Sequence, residues 1–515
     1  MDDQVILRME SIRKAFGGVP ALDNVHFELN AKEIHGLLGG NGAGRTTLMN
    51  ILFGLYRMDS GEVFLHDKKI SISAPRDAIA QHINMVHQHF LQVNNFSVLE
   101  NILIGERIAN NFSMNFENEA RKIREIQERF GLEMDLKATL EDLPMGTRQK
   151  VEILKALYRG VEILILDEPT TNLTPQEVDD LFHSLRTMVE EGLSIVFITH
   201  KLREVLSVCD RISVLRNGRN VTTLRRGEAS EEEFVRGMVG DELNIEKSVI
   251  FAKDKEDRAD KIETGVPILA VESASVLSAE GLPRLKEVNF SVAGGEIFGV
   301  AGVAGNGQSE LAEAILGLHA LSSGKIYLEG EPLQDVDTAR RLDIGLAYIP
   351  EDRLHDGFLP KANVAQNLIL GAHRVAPYSN GWLIDWKTVF TKSREMIAHY
   401  NIKTNDPGEP GGNLSGGNIQ RVMIARAFSR DARLLVAHNP TRGLDIPSMD
   451  FVYGKFLERK NRGWATLLIS EDLDELLLIC DRIGVIYKGE ILGVLSRPQF
   501  EKYAIGRMMS GVRSE

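Results

Sequence analysis

The chain repeats itself, and a repeat of this length confines it to two copies of one fold. Cys209-Asp210-Arg211-Ile212 returns 271 positions later as Cys480-Asp481-Arg482-Ile483. Glycine turns ending at Gly44 and Gly307 lie 263 apart, and those containing Gly146 and Gly417 again 271 apart. Landmarks in the same order at a near-constant offset mean two homologous halves, not the three or four domains that 515 residues would otherwise suggest. The half-ends also agree, with Arg236-Gly237-Met238-Val239-Gly240 matching Gly506-Arg507-Met508-Met509-Ser510-Gly511. Between them, positions 254–261 alternate acidic and basic residues without apolar periodicity, as expected of a solvated linker. The domains are therefore placed at 1–241 and 265–515, with the linker over 242–264.

Within each half, short β-branched runs (34–38, 163–166, 195–199) alternate with longer amphipathic stretches such as 119–130. This predicts an α/β fold, a mainly parallel sheet covered by helices, with ligands at the turns that end the strands. The formal net charge of −13 offers no basic footprint for nucleic acid. Two cysteines exclude a disulfide scaffold and a Cys-rich zinc module and fit a reducing compartment; Cys209 and Cys480 are expected as small buried hydrophobes. The acidic start MDDQVILRME lacks the basic region and apolar stretch of a secretory signal. No apolar run approaches the roughly 18 residues of a membrane span. The expectation is a cytoplasmic chain that reaches a membrane only by docking to something already there.

Gly39-Gly40-Asn41-Gly42-Ala43-Gly44-Arg45-Thr46-Thr47 follows one predicted strand and opens a helix. It fits the phosphate-loop pattern G-x-x-x-x-G-K-[ST], except that Arg45 stands where lysine is expected. The glycines let backbone N–H groups turn toward phosphate oxygens, the helix N-terminus adds its positive end, and Thr46 can offer a hydroxyl to Mg²⁺. A dinucleotide-binding turn or a plain strand-to-helix connection would also contain such glycines. The run Ile163-Leu164-Ile165-Leu166-Asp167-Glu168-Pro169 narrows the choice, because an apolar strand ending in paired carboxylates is what a Mg-nucleotide hydrolase needs. Asp167 would hold the metal shell and Glu168 would polarise the attacking water.

Together these residues resemble the ATP-binding-cassette ATPases, specifically the two-cassette, single-chain subunits of simple-sugar and nucleoside importers. The resemblance covers essentially the whole chain. It implies two tandem P-loop nucleotide-binding domains, each with a helical subdomain, that use ATP and Mg²⁺. It implies that Phe16 stacks on adenine, that Gln88 senses Mg²⁺ and the transmembrane partner, and that His200, in Phe197-Ile198-Thr199-His200, is the γ-phosphate switch. Leu414-Ser415-Gly416-Gly417-Asn418, before Ile419-Gln420-Arg421, is similar to the family signature, and Asp445 in Arg442-Gly443-Leu444-Asp445 to the inter-cassette aspartate. The implied metal-side residues are Thr46, Gln88 and Asp167. The implied partners are two integral membrane permease subunits and an extracytoplasmic substrate-binding protein, with no nucleic acid. The chain would then sit peripherally on the cytoplasmic face, touching the membrane only through the permease, and would energise import of a simple sugar or nucleoside. Val86-His87-Gln88-His89-Phe90, followed by Val98-Leu99-Glu100-Asn101-Ile102, resembles the nucleoside-importer branch. Positions 90–103 are accordingly a candidate docking surface for the membrane subunits, with packing into a helical subdomain as the other explanation of Leu99 and Ile102.

The halves are not equally equipped. The second loop, Gly302-Val303-Ala304-Gly305-Asn306-Gly307-Gln308-Ser309, carries neutral Gln308 where the first has Arg45. His438-Asn439 align with Asp167-Glu168, Glu471 with His200, and Glu351 with Gln88. The first half's own signature, Leu143-Pro144-Met145-Gly146-Thr147, lacks the serine and one glycine. Signatures act in trans in the family, so the resemblance implies one working composite site: the first half's loop, carboxylates and His200 with the second half's signature. The second site would be a structural or regulatory nucleotide pocket. Arg45 keeps the charge but is wider and planar, so nucleotide binding should survive better than hydrolysis. Two alternatives stand beside this reading: an ATP-binding clamp or scaffold with little hydrolysis, and a soluble two-cassette translation-type factor, which would need the basic surface that a charge of −13 does not supply.

Overall fold

The structure is a computed structural model that describes residues 4–88, 92–105, 116–171, 173–228, 230–240, 248–251, 267–430 and 432–513. It divides into two units, Met1–Leu243 and Asn244–Glu515. Positions 254–261 of the linker lie outside the described residues. Ser248, from the segment ascribed to that linker, belongs to the second unit: it is buried and its Oγ donates to Asp450 Oδ1 at 2.7 Å.

Each unit holds two sheets. In the first, strands Val5–Phe16 and Val19–Asn30 form an antiparallel hairpin across Gly17-Gly18, whose φ values of +55° and +85° suit a tight two-residue turn. Ser60–Leu65 and Lys68–Ile70 extend that sheet to four strands. The second sheet runs, in spatial order, Arg219–Arg225, Arg211–Arg216, Ile34–Gly39, Ser194–Thr199, Ile163–Asp167, Ile83–Val86. All its neighbours are parallel except the first pair. Every residue of Ile34–Gly39, Ile163–Asp167 and Ser194–Thr199 is buried, which is why these strands read as largely apolar runs. The second unit repeats both sheets with the same strand order.

Helices cover the parallel sheet. Phe116–Phe130 turns Ala120, Ile123, Gln127 and Phe130 inward at helical spacing. Pro175–Glu190 starts at a capping box between Thr174 and Glu177, with proline in its first turn. Among the described residues no helix is long and apolar enough to cross a membrane. Cys209 and Cys480 are fully buried, each filling the niche over a glycine of the adjoining strand, Gly36 and Gly299 respectively. Burial pushes both thiols well up.

One buried polar feature recurs in both units. Glu204 accepts from Thr170 Oγ1 at 2.7 Å and Thr199 Oγ1 at 3.1 Å, joining the ends of two strands. Glu475 does the same with Thr441 Oγ1 at 2.7 Å and Ser470 Oγ at 2.5 Å. The parallel register brings Gly39, Val86, Asp167 and Thr199 to one edge of the first unit's sheet, its carboxyl-terminal edge.

Candidate active site

The glycine loop leaves the strand Ile34–Gly39 and enters the helix Arg45–Phe53. Gly44 caps the helix at φ +102°, and a Cβ there would meet Leu22 Cδ2 at 2.6 Å, so glycine is required twice over. The helix has no acidic residue in its first turn to occupy its positive end. Arg45 is 5% exposed. Its Nη2 lies 3.4 Å from Asn41 Oδ1 and 3.5 Å from Glu168 Oε1, while its Nη1 is buried with no partner. Burial lowers its pKa, and the nearby Glu168 and Asp167 oppose that shift. A buried guanidinium with an unmet N–H beside free loop glycines suits an anion.

Asp167 ends the strand Ile163–Asp167 and Glu168 follows it. Burial and the neighbouring Glu168 push the Asp167 carboxyl up to about 6, against the pull of Arg45 and Thr46. Thr46 Oγ1 lies 3.5 Å from Asp167 Oδ1. Glu168 is held on three sides: Gln88 Nε2 donates to Oε2 at 3.0 Å, His200 Nδ1 sits 2.9 Å from Oε1, and Arg45 approaches the same oxygen. Burial disfavours its ionisation, yet the His200 hydrogen bond and the charges of His200, Arg45 and Lys201 hold it below the ordinary carboxylate range. Lys201 had no motif to mark it; only the fold reveals its field at Glu168.

A hydroxyl, a buried carboxylate whose ionisation awaits a counter-charge, and the Gln88 amide oxygen form a hard oxygen set that fits Mg²⁺. Thr46, Asp167 and Gln88 would hold it, and it would neutralise charge on bound phosphates. Phe16 is 44% exposed, edge-on to Tyr56 at 5.3 Å with Lys14 Nζ 5.4 Å from its ring centroid, so its ring is a surface platform and not a core residue.

The remaining candidates lie in the second unit. Ser415 precedes the helix Gly416–Ser429, and its Oγ accepts from Asn418 Nδ2 at 2.8 Å instead of capping the helix. Gly417 is confined by Ser448 Oγ, 3.0 Å from where a Cβ would stand. Asp445 caps the helix Ile446–Asn461, its Oδ1 accepting from Ser448 N at 3.0 Å. The second unit's equivalent of the Glu168 cluster is inverted. Asn439 bridges Glu351, to which it donates at 3.0 Å, and the Glu471 amide, from which it accepts at 3.0 Å.

The docking surface expected over 90–103 is only partly a surface. Val98, Ile102 and Leu103 are buried, whereas Val93, Phe96 and Ile104 are each more than a third exposed. His89 and Phe90 lie outside the described residues.

Residues 22–171 and 285–442 match the family described as ABC transporter. A glucose import ATP-binding protein of Haloferax volcanii is 38% identical over 99% of this chain and 96% of its own length. A guanosine import ATP-binding protein of Bacillus subtilis is 38% identical over 99% of this chain and 98% of its own. A nucleoside import ATP-binding protein of Lactococcus lactis is 37% identical over 99% of both chains.

Proposed function

The chain belongs to the ABC transporter family of ATP-binding proteins, and from that membership we propose that it is the ATPase subunit driving import of a simple sugar or nucleoside, with one working ATP site. The observation that carries the single-site part is the unequal treatment of one position: Glu168 is an ionised carboxylate held by Gln88 and His200, and its counterpart is the amide of Asn439.

The loop amides and Arg45 bind the β- and γ-phosphates, and Phe16 supports the base. Thr46, Asp167 and Gln88 would hold Mg²⁺, which would supply charge neutralisation for the phosphates. Glu168 accepts a proton from a water as that water's oxygen bonds to the γ-phosphorus, and the bond between that phosphorus and the β,γ-bridging oxygen breaks, leaving ADP with the electron pair. His200 steadies Glu168 and senses the γ-phosphate. Ser415, Gly416, Gly417 and Asn418 supply the signature to this site, with Asp445 in the adjoining loop. The family resemblance, not geometry between the units, supports that assignment. The partners are two permease subunits in the membrane and an extracytoplasmic binding protein, the chain lying on the cytoplasmic face.

The Arg45–Glu168 contact favours a second reading, in which a guanidinium beside the base makes the chain an ATP clamp that hydrolyses slowly. Phosphate release by the chain reconstituted with its permease tests both. Glu168→Gln stops turnover in the first reading; a silent wild type that still binds ATP establishes the second.

A further inference from the structure

The two phosphate loops share one backbone. Gly42 and Gly44 have φ values of +77° and +102°, and Gly305 and Gly307, 263 residues on, have +86° and +108°. The cradle has therefore outlived the loss of its cation, and what differs is what lies inside it.

In the first loop, Ala43 N donates to Gly40 O at 3.1 Å, and Arg45 extends away toward Asn41 and Glu168. In the second, the Gln308 side chain is inserted at that turn. Its Oε1 accepts from Asn306 N at 3.0 Å and its Nε2 donates to Val303 O at 2.9 Å. Asn306 Nδ2 donates to the same carbonyl at 2.8 Å. Gln308 is 4% exposed, and its Nε2 lies 2.7 Å from where a Cβ on Gly302 would stand. Arg45 leaves a buried N–H unmet, whereas both ends of the Gln308 amide are satisfied by the loop itself.

We propose that Gln308 is a resident stopper: its amide fills the second loop's cradle, so the second unit takes up no nucleotide phosphate. Displacing it would break two part-buried hydrogen bonds without supplying a cation in exchange. The rest of that pocket agrees. Glu351 and Glu471 stand where the first unit has Gln88 and His200, and Arg442, the cation beside them, is paired with both carboxylates, at 2.5 and 3.8 Å. Leu277 pairs with Pro283 as Phe16 pairs with Val19, so no ring stands where a base would stack. This goes beyond the single-site reading, which concerns catalysis and is compatible with a nucleotide resting in the second pocket.

The test is a count of radiolabelled ADP bound per full-length chain by equilibrium dialysis with Mg²⁺. ADP is the probe because it lacks the γ-phosphate that Glu351 and Glu471 would repel. Wild type should bind one equivalent, Gly44→Ala, whose added Cβ meets Leu22 Cδ2, none, and Gln308→Lys and Gln308→Ala two, a doubling. The stopper is overturned if wild type binds two, if Gly44→Ala keeps the one equivalent, which then rests in the second unit, or if both Gln308 variants stay at the wild-type count. A wild type that binds none, with Gln308→Lys binding one, would sustain the stopper and refute the first-site reading instead.

Discussion

Glu168 and Asn439 end equivalent strands in the same left-handed backbone, φ +48° and +44°. Asparagine tolerates that conformation and glutamate ordinarily avoids it, at a cost of about 1–2 kcal/mol. The strained glutamate stands in the first unit, where the proposed chemistry calls for a carboxylate. Glu168→Gln should leave ATP binding within about threefold of wild type and lower phosphate release by roughly 10²–10⁴-fold, the range for a lost general base. Unchanged release would remove Glu168 from the chemistry.

Arg45 sets a second expectation. Its guanidinium reaches Glu168, which a compact ammonium nested in the loop would not need to do. Arg45→Lys should therefore free the base and raise kcat about two- to tenfold with KM little changed, each tenfold being about 1.4 kcal/mol of barrier. A fall in kcat would mean that the guanidinium itself positions the γ-phosphate.

Two loop glycines should respond differently to alanine. At Gly42 nothing lies within 4 Å of the added Cβ, so only the left-handed backbone is penalised, by about 1–2 kcal/mol. At Gly44 the Cβ also meets Leu22 Cδ2 at 2.6 Å and Ala21 O at 2.9 Å. Gly44→Ala should abolish nucleotide binding, and Gly42→Ala should weaken it by about tenfold or less. Titration with a fluorescent ATP analogue reads both, and equal losses would refute the steric argument.

The assignment of signatures makes a sharper prediction. Ser415→Arg should silence hydrolysis, whereas Thr147→Arg, next to Gly146 in the degraded signature, should leave it within about twofold. The reverse result would assign the working site to the other pairing.

Glu475 predicts a pH dependence of stability. Burial, with Asp472 adding to it, pushes this carboxyl up to about 7 from an ordinary 4.5, although Ser470, Thr441 and Tyr453 hydrogen-bond it in the opposite direction. The folded state holds the proton more tightly than the unfolded state. Its stabilising contribution is thus complete below about pH 4.5 and is lost as the pH rises through 7. Glu475→Gln, neutral throughout, should melt a few degrees above wild type at pH 8, with the gap closing toward pH 5. Parallel melting profiles would show that the Glu475 carboxyl titrates alike in the folded and unfolded chain.

The parallel sheet was legible because its central strands are buried on both faces, so 34–38, 163–166 and 195–199 carry continuous apolar runs. The antiparallel sheet was not, because its strands are interrupted. Ser11 at φ +53° shifts the register between Met9 and Ile12, both buried, and so breaks the alternation that would mark a strand. At the site, residue types and order pointed to Asp167, Glu168 and His200, but not to the Gln88 and Arg45 contacts that converge on Glu168 from distant positions. Nor could the sequence tell that Asp445 caps its own helix or that Val98 and Ile102 face inward, since both depend on which neighbours the fold supplies.

The carboxylates Glu204 and Glu475 bind hydroxyls in the same way in a unit equipped for hydrolysis and in one that lacks the equipment. Duplication has thereby run its own control experiment. On the proposed reading, whatever the second copy retains answers to folding, whatever it has discarded answered to chemistry, and the strand-to-strand clasp falls on the side of folding.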